Sequence, residues 1–389
     1  MKIGIEHHRV LSYDKLFCLC KYDPRATCTN RFTTYFPRVP VIHEFYTNDS
    51  YCEYEKDQIP GVINPKLVQK AVTIVSGFSG ITTYPQITFC RKHIYDGSLA
   101  SGFQKTACIA SGGVLTLHSG KLVQLDKIYL EQDSSSRDAL GRFCVGRQGI
   151  PLLEVTTVAT ELSAAEVVEV LLIIDSCLGR FNNLPHSSFS RRQDINISTP
   201  GHPRVEIKGV DTLSLLPELL AQESSRQETA VKVGSDLLQS DTRCANADGS
   251  STHLRTIGLG TRMHLETEIP LQHTLKSIKK EFKSLLPSEI HPLLHNHSIG
   301  KKLYNLDLDW NSSDYAILNY LCKSNPSKTA FNLFRGYVEG KYSEYAIKKG
   351  PLVNCLSIAE LTRLRSDYTS ISEFGKRYKN YFPRGYKLT

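Results

Sequence analysis

The chain opens into a strand-like run, Gly4-Ile5-Glu6-His7-His8, in which Glu6 and His8 stand two residues apart. Side chains two apart on a strand leave the same face, so a carboxylate and an imidazole converge there and can share a metal or a proton. Glu131 and Asp133 repeat the spacing at the end of a second apolar strand. Such carboxylates are hard oxygen ligands suited to magnesium, which keeps several waters and bridges to nucleotide phosphates. Glu154 interrupts the apolar run Pro151-Leu152-Leu153-Glu154-Val155. An acid in that setting calls for a cation or a hydrogen-bond donor as its partner. Taken singly, the first two patterns fit plain structural roles as well: a surface Glu/His pair, or a strand running into an acidic turn.

Basic and polar groups accompany these acids. Arg91 and Lys92 follow a strand over residues 87 to 90, and a turn-rich stretch from Asp96 to Gln104 comes next. Its glycines and small hydroxyl residues allow the backbone to approach a ligand closely. The Gly-x-x-x-x-Gly-Lys-Ser/Thr spacing of a Walker-type phosphate loop is absent. Arg192, Asp194 and Asn196 alternate on one strand, and Arg204, Glu206 and Lys208 on another. These two faces are either a solvated sheet surface or the lining of a polar cavity. Cys18 and Cys20 form a Cys-x-Cys pair, with Cys28 and Cys52 downstream. The second Cys-x-x-Cys pair of a zinc knuckle is missing, so zinc is not expected and buried free thiols are. No Ser/His/Asp hydrolase signature is visible, which argues against an amidase or glutaminase site in this chain.

The elements that must position these groups have their own signals. One helix starts at Asn64 as cap with Pro65 in its first position, carries Leu67, Val68, Ala71, Val72 and Val75, and stops near Gly77. A second starts with the capping box Ser163 and Glu166 and is apolar almost all round up to Gly179, which suits burial against a sheet. A third is expected over residues 214 to 226. Short β-branched and aromatic runs predict strands over 3 to 6, 87 to 91, 123 to 131, 152 to 157, 195 to 198 and 205 to 208. Strands in the middle with helices at the flanks predict an α+β fold: a cradle on a largely antiparallel sheet, followed by a smaller basic all-α domain. The divisions read as a cradle over 1–227, a polar loop over 228–252, the end of the cradle over 253–274 and a basic helical domain over 275–389.

Charge sharpens this division. Of 47 Lys+Arg and 39 Asp+Glu, which give +8 overall, residues 275–389 hold 19 and 10, a difference of +9. The remainder, 28 against 29, is then −1. The basic excess therefore lies in the last third, the candidate for contact with a polyanion such as RNA. No apolar run reaches the roughly 18 residues that a membrane span needs, so no membrane association is expected. Eleven cysteines, odd in number and scattered, suit a reducing compartment better than a disulfide framework.

Read in order, these segments resemble the B and E subunits of the glutamyl-tRNA(Gln) amidotransferases. The resemblance runs through GIEHHRVL at 4–11, KLFCLC at 15–20, RKHIYDGSLASGFQKT at 91–106 and IYLEQD at 128–133. It continues with GIPLLEVTT at 149–157, RRQDINIS at 191–198, RVEIKGVD at 204–211 and TRMHLETEIP at 261–270. Asp-Gly-Ser followed by Ser-Gly-Phe-Gln, and Arg-Gln-Asp before the alternating strand, lean towards the E type.

The resemblance implies a carbon–nitrogen ligase with glutamine as amido donor. Such an enzyme uses ATP and magnesium to phosphorylate the γ-carboxylate of glutamate on tRNA(Gln), and ammonia then displaces the phosphate. The ammonia would come from a partner subunit, an amidase or an asparaginase-like protein. Carried over by motif, Glu6, His8, Glu131 and Glu154 would hold magnesium and orient the phosphates. Arg91, Lys92 and Lys208 would stabilise charge on the transferring phosphoryl group. The family's insertion near 228–252 is almost absent here, its carboxy-terminal tail is short, and His7 stands where an apolar residue is usual. E-type features imply a cytoplasmic enzyme, and a B-type assignment would allow a mitochondrial one. The alternatives are a catalytically silent scaffold that keeps the cradle and binds RNA or a partner, and an RNA-binding zinc module.

Overall fold

The computed structural model describes residues 1–274, apart from 19, 24–29, 36–39, 46–59, 95, 139, 180–183, 186–189, 235–237 and 258–262. Beyond these it describes 321 and 332–336. Cys28, Cys52 and nearly all of the expected basic helical domain therefore lie outside the described residues. The chain forms two compact units, one of Met1–Leu178 with Asn183–Pro287, the other of Gly179–Asn182 with Ser288–Thr389. No helix among the described residues is long and apolar enough to cross a membrane.

The first unit is built on a thirteen-stranded sheet. Ten of its strands form the main path: β1 (Lys2–Val10), β2 (Cys90–His93), β3 (Phe103–Gly112), β4 (Leu122–Gln132), β5 (Pro151–Thr157), β6 (Arg191–Ser198), β7 (Val205–Lys208), β8 (Asp241–Ala245), β9 (Ser251–Thr256) and β10 (Met263–Leu265). They lie in the order β9-β8-β7-β6-β1-β5-β4-β3-β2-β10. Neighbours on this path run antiparallel, except β7 and β8, which are parallel. The largely antiparallel α+β cradle is thus observed. The strand read over 87 to 91 is in fact two, Gln86–Ile87 and β2, parted at Thr88 and Phe89.

Helices pack against the sheet. Helix α1 (Pro65–Val75) begins as expected: the Asn64 side chain accepts from the Lys66 backbone N–H, and Pro65 occupies the first turn. Helix α2 (Ala164–Gly179) starts at the expected capping box, with Ser163 N donating to Glu166 Oε2 at 2.8 Å and Glu166 N donating to Ser163 Oγ at 3.3 Å. Its Asp175 meets His7, Arg9 and Arg191 from β1 and β6. Those residues alternate with Glu6, His8 and Arg192, so α2 packs on the face opposite the first candidate site pair.

Within residues 228–252, expected to be a polar loop, the described residues include the end of a helix, one strand and the start of a second. Helix α3 runs from Leu216 to Val233 and ends on Gly234, whose φ of 64° is the left-handed conformation of a helix C-cap. Its buried stripe is Leu216, Leu219, Leu220, Glu223, Gln227 and Ala230. The two polar members hid the helical period from an apolar count. Both are satisfied in place: Glu223 accepts from Arg226 and Gln227, and Gln227 accepts from the backbone of Thr199. Strands β8 and β9 follow as a hairpin closed near Gly249, at φ 81°, and the hairpin extends the sheet beside β7.

Candidate active site

Strand β1 lies between β5 and β6, and the register fixes which side chains meet. His8 stands across from Glu154 on one side and Arg192 on the other, while Glu6 stands across from Thr156 and Asp194. On β4, Glu131 lies opposite Leu152 of β5 and Thr106 of β3, and Lys92 lies opposite Gln104. Because side chains alternate along each strand, all of the polar groups named here project from the face that α2 does not cover.

Two overlapping groups of potential metal ligands result: His8, Glu131 and Glu154, and Glu6, His8 and Asp194. Within each, the ligand atoms lie within 4.8 Å of one another. His8 Nε2 is 3.7 Å from Glu154 Oε2. Lys92 Nζ sits 3.3 Å from Glu131 Oε1 and 3.7 Å from Glu154 Oε2. Glu131 also accepts from Gln104 Nε2 at 3.1 Å and Thr106 Oγ1 at 3.2 Å. Glu6 accepts from Asn196 Nδ2 at 2.8 Å. Lys208 Nζ bridges Asp194 at 2.8 Å and Glu206 at 2.6 Å.

These acids are deeply buried; Glu131 is 1% exposed and Glu154 and Asp194 are 5% exposed. Burial, followed by the charge of Glu154, pushes Glu131 up to about 7. Burial and the neighbouring carboxylates of Glu154, Asp194 and Glu206 raise Glu6 in the same way. Burial also works to raise Glu154, but His8 and Lys92 beside it prevail and hold it below the usual carboxylate range. The Glu131–Glu154 pair thus keeps one proton that a cation would displace.

The donor set fits magnesium: four carboxylates, rich in hard oxygen, with one imidazole nitrogen. Buried polar atoms left without a hydrogen bond support the fit, since Glu154 Oε2, His8 Nδ1 and Asn196 Oδ1 all lie in this cluster unsatisfied. In the folded protein Glu131 keeps its proton up to about pH 7, whereas an unfolded glutamate loses it near 4.5. The folded state therefore binds the extra proton, and Glu131 makes the metal-free fold less stable as pH rises from 4.5 towards 7. A divalent cation relieves that penalty. We expect the rise in melting temperature caused by Mg2+ or Mn2+ to be larger at about pH 8 than at about pH 6; a rise that is equal at both, or larger at acid pH, would contradict this assignment.

Of the residues singled out from sequence, Glu6, His8, Glu131, Glu154 and Lys92 come together, and Lys208 joins through Asp194. Arg91 does not. Its neighbour Lys92 takes the site face, so Arg91 takes the other, where it forms a two-pronged pair with Glu266 at 2.7 Å for each contact. It lies 3.5 Å from Glu268 and over the Phe103 ring, tying β10 to β2. Asp133 is held by Arg147 and Arg192 instead of joining the ligand groups. Asp194, Gln104 and Thr106 were not named as site residues; the alternation of Arg192, Asp194 and Asn196 was the one signal pointing to the first. Neither group of potential metal ligands among the described residues contains a cysteine.

Comparison with known proteins places this geometry. The GatB/GatE catalytic domain matches residues 1–278. The chain is 32% identical to the E-type subunit of the glutamyl-tRNA(Gln) amidotransferase of Thermoplasma volcanium, over 61% of this chain and 43% of that protein. It is 30% identical to the corresponding E-type protein of Aeropyrum pernix, over 60% and 40%, and 32% identical to that of Methanococcus maripaludis, over 61% and 42%. The chain thus spans about two fifths of the length of these curated relatives. A match that covers the strands bearing Glu6, His8, Glu131, Glu154 and Asp194 shows that the chain belongs to the GatB/GatE catalytic-domain family.

Proposed function

We propose that the chain is the ATP-using subunit of a tRNA-dependent amidotransferase acting on glutamate esterified to tRNA(Gln). The γ-carboxylate oxygen attacks the terminal phosphorus of ATP and ADP departs; ammonia then attacks the activated carbonyl carbon and inorganic phosphate leaves, giving Gln-tRNA(Gln). The observation that carries this reading is the convergence of Glu6, His8, Glu131, Glu154 and Asp194 on one sheet face.

Magnesium, when bound, would neutralise charge on the phosphate oxygens and align the transferring group. Glu131, Glu154 and His8 would hold it, with Glu6 and Asp194 forming the adjoining group. Asn196 orients Glu6 through its 2.8 Å hydrogen bond, and Gln104 and Thr106 fix the Glu131 carboxylate. Lys92 supplies positive charge between Glu131 and Glu154. Phosphoryl transfer of this kind depends on positioning and electrostatics, so it needs no covalent nucleophile from the protein. The basic residues of 275–389 would meet the tRNA backbone, and a separate amidase or asparaginase-like subunit would supply ammonia.

The test uses the full chain with ATP, Mg2+, an ammonium salt and either Glu-tRNA(Gln) or uncharged tRNA. ADP formation that requires the glutamyl group, accompanied by Gln-tRNA(Gln), is the expected result. Binding of tRNA with no ATP turnover would overturn the reading and leave a silent scaffold.

A further inference from the structure

With Arg91 committed to Glu266 on the opposite face, a different arginine stands at the site. Arg192 lies directly across from His8 in the sheet, and its Nη1 is 3.1 Å from Asp133 Oδ1. Its side chain remains 32% exposed, whereas those of His8 and Glu154 are 7% exposed. Arg192 therefore forms the rim of the cluster.

Its tether is held independently. Asp133 is buried, and its Oδ2 accepts from Arg147 Nε at 2.8 Å and lies 2.7 Å from Arg147 Nη2, while its Oδ1 accepts from the backbone of Ser134 at 2.9 Å. Asp133 is thus anchored without Arg192. Among the described residues, the hydrogen bond to Asp133 is the one Arg192 makes, which leaves the rest of its planar fork of donors available.

The two lysines of this face differ from it in a way that matters. Lys92 is engaged with Glu131 and Glu154, and Lys208 with Asp194 and Glu206, so their charge is matched by the cluster itself. Arg192 has its counter-ion outside the two ligand groups. The other charged groups that face it are His8, Glu131, Asp194, Asp211 and Arg147. A guanidinium presented this way suits two-pronged binding of phosphate oxygens, which an ammonium cannot reproduce.

We propose that Arg192, tethered by Asp133, is the phosphate-binding arginine of this site and grips the polyphosphate of a nucleoside triphosphate beside the carboxylate cluster. The proposal rests on the ATP-using function above. Calorimetric titration of the full chain with MgATP and with adenosine tests it. Arg192→Gln weakens MgATP binding by roughly 10- to 100-fold and leaves adenosine binding unchanged, as expected for loss of charged hydrogen bonds. Arg192→Lys keeps the charge but not the fork, so it falls between the two. Asp133 stays paired with Arg147 in both variants, so the fold is retained. If wild type binds MgATP and Arg192→Gln binds it equally well, the role of Arg192 is overturned while the ATP-using function stands. If wild type binds no MgATP, that function itself fails.

Discussion

Glu131→Gln lowers ATP turnover dependent on Glu-tRNA(Gln) by roughly 10³-fold and leaves the fold at least as stable as wild type at about pH 8. The two effects separate because of where the charge sits. Glu131 is 1% exposed and accepts from Gln104 through Oε2 and from Thr106 through Oε1; an amide of the same shape keeps the first through its oxygen and donates to the Thr106 hydroxyl through its nitrogen. Above pH 7 the native carboxylate is ionised beside Glu154, and this repulsion, added to burial, is what pushed it up to about 7. Removing the charge relieves the metal-free fold and takes away one hard oxygen ligand at the same time. Steady-state ADP release together with thermal melts reads both quantities. A variant that turns over normally, or one that unfolds, would remove Glu131 from the role given to it.

Asp175→Ala costs about 3–5 kcal/mol of folding stability, the largest stability effect we expect in the cradle. Asp175 is 2% exposed at the sheet face of α2, where its Oδ2 accepts from Arg191 at 2.9 Å and its Oδ1 lies 3.7 Å from both Arg9 and His7. Burial alone would raise its pKa; Arg191, His7 and Arg9 outweigh that and hold the carboxyl well below its usual range. A depressed carboxylate contributes stability above its unfolded value of 3.8 and loses it as pH falls through the folded value. Wild type therefore gains stability as pH rises out of the acid range, and the alanine variant lacks that gain. Urea unfolding at pH 7 and at about pH 2.5, below the unfolded value of 3.8, measures it; a loss under 1 kcal/mol, equal at both, would show that Arg9 and Arg191 do not depend on this acid.

The site was legible where polar residues broke an apolar strand pattern. Glu154 in the middle of β5 stood out because it interrupts an apolar strand, and Glu6 and His8 on β1 because their spacing of two puts them on one face, although a surface pair would share that spacing. The same reasoning could not separate Arg91 from Lys92, since adjacent strand residues face opposite ways and the sequence does not say which face carries the site. Strand β3 was missed for the converse reason: Gln104 and Thr106 are polar and buried, so Phe103–Gly112 lacked an apolar-inside pattern. The length of α3 was hidden by Glu223 and Gln227 in its buried stripe. His7 looked anomalous until α2 brought Asp175 to it from 168 positions further along the chain, a pairing that no local pattern encodes.

The central claim is that His8, Glu131 and Glu154 form a divalent-cation site. Titration of Mn2+ into the full chain at about pH 8, followed by electron paramagnetic resonance of the free ion, tests it directly. Saturable binding by wild type and by Arg91→Gln, with loss of that binding in the Glu131→Gln/Glu154→Gln double variant, is the predicted result. Binding of equal strength and stoichiometry in the double variant, or none in wild type, would contradict it.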